Sequence, residues 1–196
     1  PYSGPASAYG TIGKAIGAYF DKVNAEGGIN GRKVKFVSLD DGYNPAKAVE
    51  QTRKLVEEDE VLLVFQPLGT AVNSSIHKYM NTKKVPQLFV LSGATKWADP
   101  KNAPWTMPGM ATYQSEGVIY AKHILQTKPD AKIAILAQND DFGRDYVAGF
   151  KRGLGDDLVI APYASALALT VMPREACRNL QTLAEHGFLG AYGFYE

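Results

Sequence analysis

The apolar residues change their spacing again and again between Gly10 and Leu154, and this alternation constrains the fold more than any other feature of the chain. Ile12, Ala15, Ile16, Tyr19, Phe20 and Val23 recur at three- and four-residue steps, one face of a helix that stops at Glu26-Gly27-Gly28. Lys33 to Leu39 alternates as a strand, with Val34 and Phe36 on one side. Pro45 suits the first turn of a helix that carries Ala46, Val49, Thr52, Leu55 and Val56 inward. Val61 to Phe65 is a continuous apolar run, which predicts a strand covered on both faces. Val72, Ser75, Ile76, Tyr79 and Met80 mark a further helix, and Val85 to Leu91 a further strand with Pro86 near its start. Ser92 to Thr112 shows no clear period. Tyr113 to Thr127 reads as helix, Lys132 to Ala137 as strand, and Asp140-Asp141-Phe142-Gly143 opens a helix running toward Leu154. Strand and helix in turn predict an α/β fold, a Rossmann-like parallel sheet with helices on both faces. Such units usually start with a strand, whereas this chain starts with loop and helix, so a first strand is expected ahead of Pro1.

Composition narrows the function. A chain of 196 residues, 45% hydrophobic and 21% charged, can bury a sizeable core and is neither disordered nor fibrous. The net charge of +1, without a run of like charge, argues against nucleic acid as a partner. No apolar stretch reaches the roughly 20 residues that cross a bilayer, so direct membrane insertion is not expected. Cys177 is the sole cysteine, which leaves no internal disulfide and no thiolate metal cage. His77, His123 and His186 are isolated, and Asp40-Asp41 and Asp140-Asp141 read as strand-end turns rather than catalytic or metal pairs. No glycine-rich dinucleotide loop, Walker lysine or G-x-S-x-G elbow occurs. The expectation is therefore a protein without catalytic residues, metal or cofactor, in which Trp97 and Trp105 pack the long loop onto the sheet.

In a parallel α/β sheet, ligands bind outside the carboxyl ends of the strands. Four loops fall there: Pro1 to Gly10, Asp40 to Pro45, Gln66 to Thr70 and Ser92 to Lys96. Free backbone N–H groups at the helix start near Gly69-Thr70 favour an anionic group such as a carboxylate.

Six segments carry a resemblance in order: Ser3-Gly4-Pro5 with Tyr9-Gly10, Asn24 to Gly31, Asp40-Asp41 followed by Pro45, Gly69-Thr70, Ser92-Gly93-Ala94-Thr95, and Asn139 to Gly143. Together they make residues 1 to about 155 resemble the periplasmic solute-binding proteins of branched-chain amino-acid ABC importers. The resemblance implies two Rossmann-like lobes that close on a small ligand, a hydrophobic amino acid or a similar small carboxylate. It also implies a membrane permease as partner and a periplasmic or extracytoplasmic location, although no signal peptide stands at Pro1. By the same resemblance, Thr70 and the amides near Gly69 bind the ligand's carboxylate. Gly93, Ala94 and Thr95 serve its ammonium and carboxylate, Tyr9 packs over it, and Phe142 is the aromatic of the second lobe.

The expected organisation is a first lobe over residues 1–120, the start of a truncated second lobe over 121–156, and an atypical tail over 157–196. Asp156 to Tyr163 and Gly193 to Glu196 resemble instead a short segment of cyclic β-glucan synthases. All fifteen lysines lie at or before Lys151, which independently suggests a seam and a fusion there. The rival readings are a carbohydrate-active enzyme fragment, with Glu175, Glu185 and Glu196 as available carboxylates, and the ligand-sensing domain of a receptor. Within the tail, a strand at Val159-Ile160 and a helix from Pro173 to Glu185 are expected.

Overall fold

The computed structural model describes residues 1–129, 132–155, 159–163 and 188–192. Its helices are α1 (Gly10–Ala25), α2 (Pro45–Arg53), α3 (Thr70–Lys83), α4 (Tyr113–Thr127) and α5 (Asp141–Leu154). Its strands are β1 (Val64–Phe65), β2 (Gln87–Val90), β3 (Thr106–Pro108), β4 (Lys132–Gln138), β5 (Val159–Tyr163) and β6 (Phe188–Tyr192). These strands form two three-stranded parallel sheets, ordered β1-β2-β3 and β5-β4-β6. The chain is thus the parallel α/β fold, with helices on both sides, that the alternation predicts. The Val159-Ile160 strand is present as β5, whereas Pro173 to Glu185 lies outside the described residues.

Local chemistry sets the helix starts. Asn44 caps α2, its Oδ1 accepting from Ala46 N and Lys47 N, with Pro45 in the first turn. Thr112 caps α4 through Ser115 N at 3.2 Å. Asp140 caps α5 by accepting from Phe142 N and Gly143 N. Both Asp140 and its neighbour Asp141, which pairs with Lys96 and Arg144, therefore have structural partners in a strand-to-helix turn.

Three buried clusters hold the elements together. Ala48, Val72, Ile76 and Met80 join α2 to α3, and Val90, Ala94, Trp97 and Tyr113 close the middle of the molecule. Ala121, Ile133, Ile135 and Phe150 pack α4 and α5 on β4. Helices α4 and α5 approach closely at small residues: a Cβ built on Gly149 would stand 2.4 Å from Gln114 O, and one on Gly117 2.9 Å from Tyr146 O.

Several expectations are corrected. Residues 33–39 form no strand; the segment runs free of any ladder, because alternation makes a chain fit for pairing but pairing needs a neighbouring edge. The run Val61 to Phe65 shortens to Val64–Phe65, paired on one side alone, and Leu62 is 85% exposed rather than covered. The face of α1 is only half-buried, Gly10 is its one buried residue, and Tyr19 is 62% exposed. Strand β2 begins at Gln87, after Pro86, and is irregular around Phe89, whose φ of 53° breaks the register with β3. Strand β3 itself falls in the stretch without a period, since three residues beside prolines leave no alternation to read.

Candidate functional site

The loops that follow β1 and β2 meet at the carboxyl ends of those strands. Asn73 and Gln87, both fully buried, fix the first: Gln87 Nε2 donates to Asn73 Oδ1 at 2.6 Å, and Asn73 Nδ2 donates to Pro67 O at 2.9 Å and Gly69 O at 2.7 Å. Gly69 turns into α3 with φ of 101°, and its α-carbon lies so close to the Tyr43 ring that a Cβ would stand 2.4 Å from it. The amides of Thr70, Ala71 and Val72 then open the helix with no acceptor among the described residues.

Ser92 organises the second loop. Its Oγ meets Thr70 Oγ1 at 2.7 Å and accepts from Trp97 Nε1 at 2.9 Å and from Ala94 N at 3.4 Å. Gly69 N donates to Leu91 O, which ties the two loops backbone to backbone. Gly93 leaves no room for a side chain, because a Cβ there would lie 2.5 Å from Ala111 O and 2.7 Å from the Tyr113 ring.

The structure thus ties the loop of Gly69 and Thr70 to the loop that carries Gly93, Ala94 and Thr95, through Ser92 and Leu91, with Thr70 buried and its hydroxyl engaged by Ser92. Thr95 is engaged too, by Asp145 of α5: Thr95 N donates to Oδ2 at 2.7 Å, Thr95 Oγ1 to Oδ1 at 3.0 Å, and Gln114 Nε2 to Oδ1 at 2.8 Å. Sequence reading did not single out Asp145. It lies on the exposed-to-buried boundary of an amphipathic helix, and only the fold shows that it faces residue 95. Phe142 packs edge-on against Tyr113 at 4.9 Å and Tyr146 at 5.2 Å, beside the same loop. Tyr9 ends the short turn before α1, half-buried, in the N-terminal loop.

That N-terminal loop is held by Asp40, which accepts from Tyr2 N at 2.6 Å, Ser3 N at 3.2 Å, Ser3 Oγ at 2.5 Å and Gly42 N at 3.0 Å. The Ser3 hydroxyl first, then the Tyr2 and Gly42 amides, hold its carboxyl far below the usual range. Asp141 is lowered by Arg144 and then Lys96, whose Nζ also donates to Ser74 Oγ of α3 at 3.0 Å. Burial, helped by the charge of Lys96, lowers His77, which meets Trp97 edge-on at 5.2 Å. Burial and Glu116 raise the Tyr146 hydroxyl.

Trp97 is 1% exposed and packs as expected, while Trp105 is 36% exposed. Among the described residues no three His, Cys, Asp or Glu side chains gather around a common metal position. No described helix is long and apolar enough to cross a membrane. The ends of the parallel strands carry backbone donors, hydroxyls and aromatic faces.

Comparison with known proteins identifies the family. The chain belongs to the periplasmic binding protein family, whose profile matches residues 1–156. It is 25% identical over 158 residues to a Leu/Ile/Val-binding protein homologue of Brucella abortus, covering 80% of this chain and 42% of that protein. A branched-chain amino acid ABC transporter structure from Thermus thermophilus with bound valine superposes with a TM-score of 0.79 at 21% identity, over 97% of this chain and 50% of its own. A different match, 56% identical over 48 residues, is to the cyclic beta-(1,2)-glucan synthase NdvB of Rhizobium meliloti, covering 24% of this chain and 2% of the synthase. The chain therefore spans about two fifths of the length of the curated binding proteins it matches.

Proposed function

We propose that the chain is the ligand-gripping part of an extracytoplasmic solute-binding protein, which delivers a hydrophobic amino acid or a similar small carboxylate to the membrane permease of an ABC importer. The observation that carries this reading is the junction of two loops at the sheet's carboxyl end. There the first-turn amides Thr70 to Val72 open beside Ser92 to Thr95. A carboxylate taken from water needs charge-assisted partners of this kind, each contributing about 1.5–3 kcal/mol. Residues 1–120 form the first lobe, 121–156 begin the second, and 157–196 are a tail of separate origin. Tyr9 and Phe142 supply aromatic cover from the two sides, with Gly69 and Gly93 letting Tyr43 and Tyr113 pack against the loop backbone.

Asp145 adds a condition. A ligand carboxylate reaches the N–H and hydroxyl of Thr95 by exchanging with the Asp145 carboxylate, whereas a ligand ammonium is drawn to it. Zwitterions are thereby favoured over simple acids. Calorimetry with leucine, phenylalanine and benzoate tests the proposal. Mutually competitive binding is expected, with dissociation constants on the order of a millimolar, equivalent to about 4 kcal/mol, because one wall of the site supplies most contacts. The absence of any competitive binding at tens of millimolar would contradict it.

The 48-residue synthase match favours a second reading, a carbohydrate-active fragment. Release of sugar phosphate from β-glucans would support it. None is expected, because the matched stretch is 2% of the synthase.

A further inference from the structure

His77 of α3 is half-buried, and its Nε2 lies out of solvent with no hydrogen-bond partner among the described residues. Its ring stands edge-on to Trp97, with centroids 5.2 Å apart and planes at 84°. Asn81 Nδ2 donates to His77 O at 3.0 Å and to Thr106 Oγ1 at 2.8 Å, which pins the backbone behind the ring. Trp97 in turn gives its indole N–H to Ser92 Oγ, the atom that also meets Thr70 Oγ1. A line of contacts therefore runs from one titratable ring, through Trp97 and Ser92, to the joint between the two loops.

The charges that face the ring come from the loop after β2. Lys96 Nζ, 5.3 Å from the Trp97 ring centroid and paired with Asp141 of α5 at 2.9 Å, repels a charged imidazole. Asp99 attracts one, but its carboxylate accepts from Asn102 N at 3.2 Å and Asn102 Nδ2 at 2.8 Å rather than from His77 Nε2. Burial first, then Lys96, lowers the affinity of the folded ring for a proton against the pull of Asp99. In the neutral ring one nitrogen is a bare acceptor, and Nε2 fills that role. In the charged ring both nitrogens are donors. Nε2 would then be a buried cationic donor without an acceptor, which costs more than an unpaired lone pair. It regains water only when the ring turns out of its contact with Trp97.

We propose that His77 is a pH-sensitive positioning residue for this joint: its neutral ring seats Trp97 against Ser92, and its protonation in mild acid loosens the 92–97 loop from Thr70. The folded ring binds its proton less tightly than the unfolded one. The joint is therefore fully set above about pH 6.5, the ordinary imidazole value, and loosens as the pH falls through the lower folded value. Asp99, held down by Asn102, and Asp141, held down by Arg144 and then Lys96, stay charged throughout that range and do not mimic the effect. The proposal rests on the two loops being joined through Ser92, not on the ligand they take.

NMR of the isotope-labelled chain without ligand, from about pH 8 to about pH 5, tests it. The Trp97 indole N–H and the Ser92 to Thr95 amides should move with the same midpoint as the His77 imidazole. Protection of the Trp97 indole N–H against exchange, corrected for the intrinsic rate at each pH, should fall about threefold or more across that midpoint. His77→Phe, which keeps a ring beside Trp97, should abolish the pH dependence. Lys96→Met should raise the His77 midpoint and carry the loop transition with it. Unchanged indole protection through the His77 titration of the unaltered chain would overturn the proposal, as would a loop transition that persists in His77→Phe. Because no ligand is added, a flat Trp97 response would leave the calorimetric test of ligand binding standing, and failed ligand binding would leave this one standing.

Discussion

The two flanks of the first parallel sheet reach different degrees of burial. On the side of β2, Val90, Ala94, Trp97 and Tyr113 are buried together, and Phe142 and Tyr146 complete the packing. On the side of α1, the periodic Ile12, Ile16 and Phe20 stay half-buried, and 33–39 stays out of any ladder. The difference is pairing. Val90 lies on β2, which pairs on both sides with β1 and β3, whereas residues 33–39 pair with no strand among the described residues.

The largest expected effect separates these regions by mutation. Trp97→Ala should destabilise by about 3–5 kcal/mol, as expected for a fully buried large side chain. Phe20→Ala should lose only about 1 kcal/mol, because much of the ring's surface is not buried against protein. Urea denaturation of the two variants checks this, and equal losses would break the comparison. Gly93→Ala forces a methyl against Ala111 O and Tyr113, so an overpacking penalty of about 1–3 kcal/mol is expected by the same measurement. Asp145→Ala frees the Thr95 donors. It should cost about 1–2 kcal/mol of stability, tighten benzoate and weaken leucine relative to it; calorimetry that moves both ligands in the same direction would remove Asp145 from the site.

The smallest effect is in pH. Asp40 holds its proton less tightly in the folded chain than in the unfolded one. Its stabilisation of the N-terminal loop is therefore complete above about pH 4, near the unfolded carboxylate value, and drains away as the pH falls toward the folded pKa. The Tyr2 and Ser3 amide resonances should titrate in that acid range, and should not do so in Asp40→Asn.

Helix positions were legible in the sequence because their signals are local: Pro45, Tyr113 and Asp140 mark starts that the structure keeps. Strands were less legible, since Lys33 to Leu39 has every intrinsic mark of a strand except a partner, and β3 is too short to show a period. For the candidate site, the loops at Gly69-Thr70 and Ser92 to Thr95 could be read from their place after expected strands, and their roles only from the family resemblance. That Ser92 would bridge Thr70 and Trp97, or that Asp145 would meet Thr95 from fifty residues away, depends on tertiary packing that no local pattern encodes.

Backbone amide NMR during titration with leucine tests the central claim most directly. Grip by the strand-end loops predicts that the shifts concentrate at Thr70 to Val72 and Gly93 to Thr95 and saturate together. Shifts confined to Ile16, Phe20 and Phe65 beside α1, or no saturable shifts at all, would contradict it.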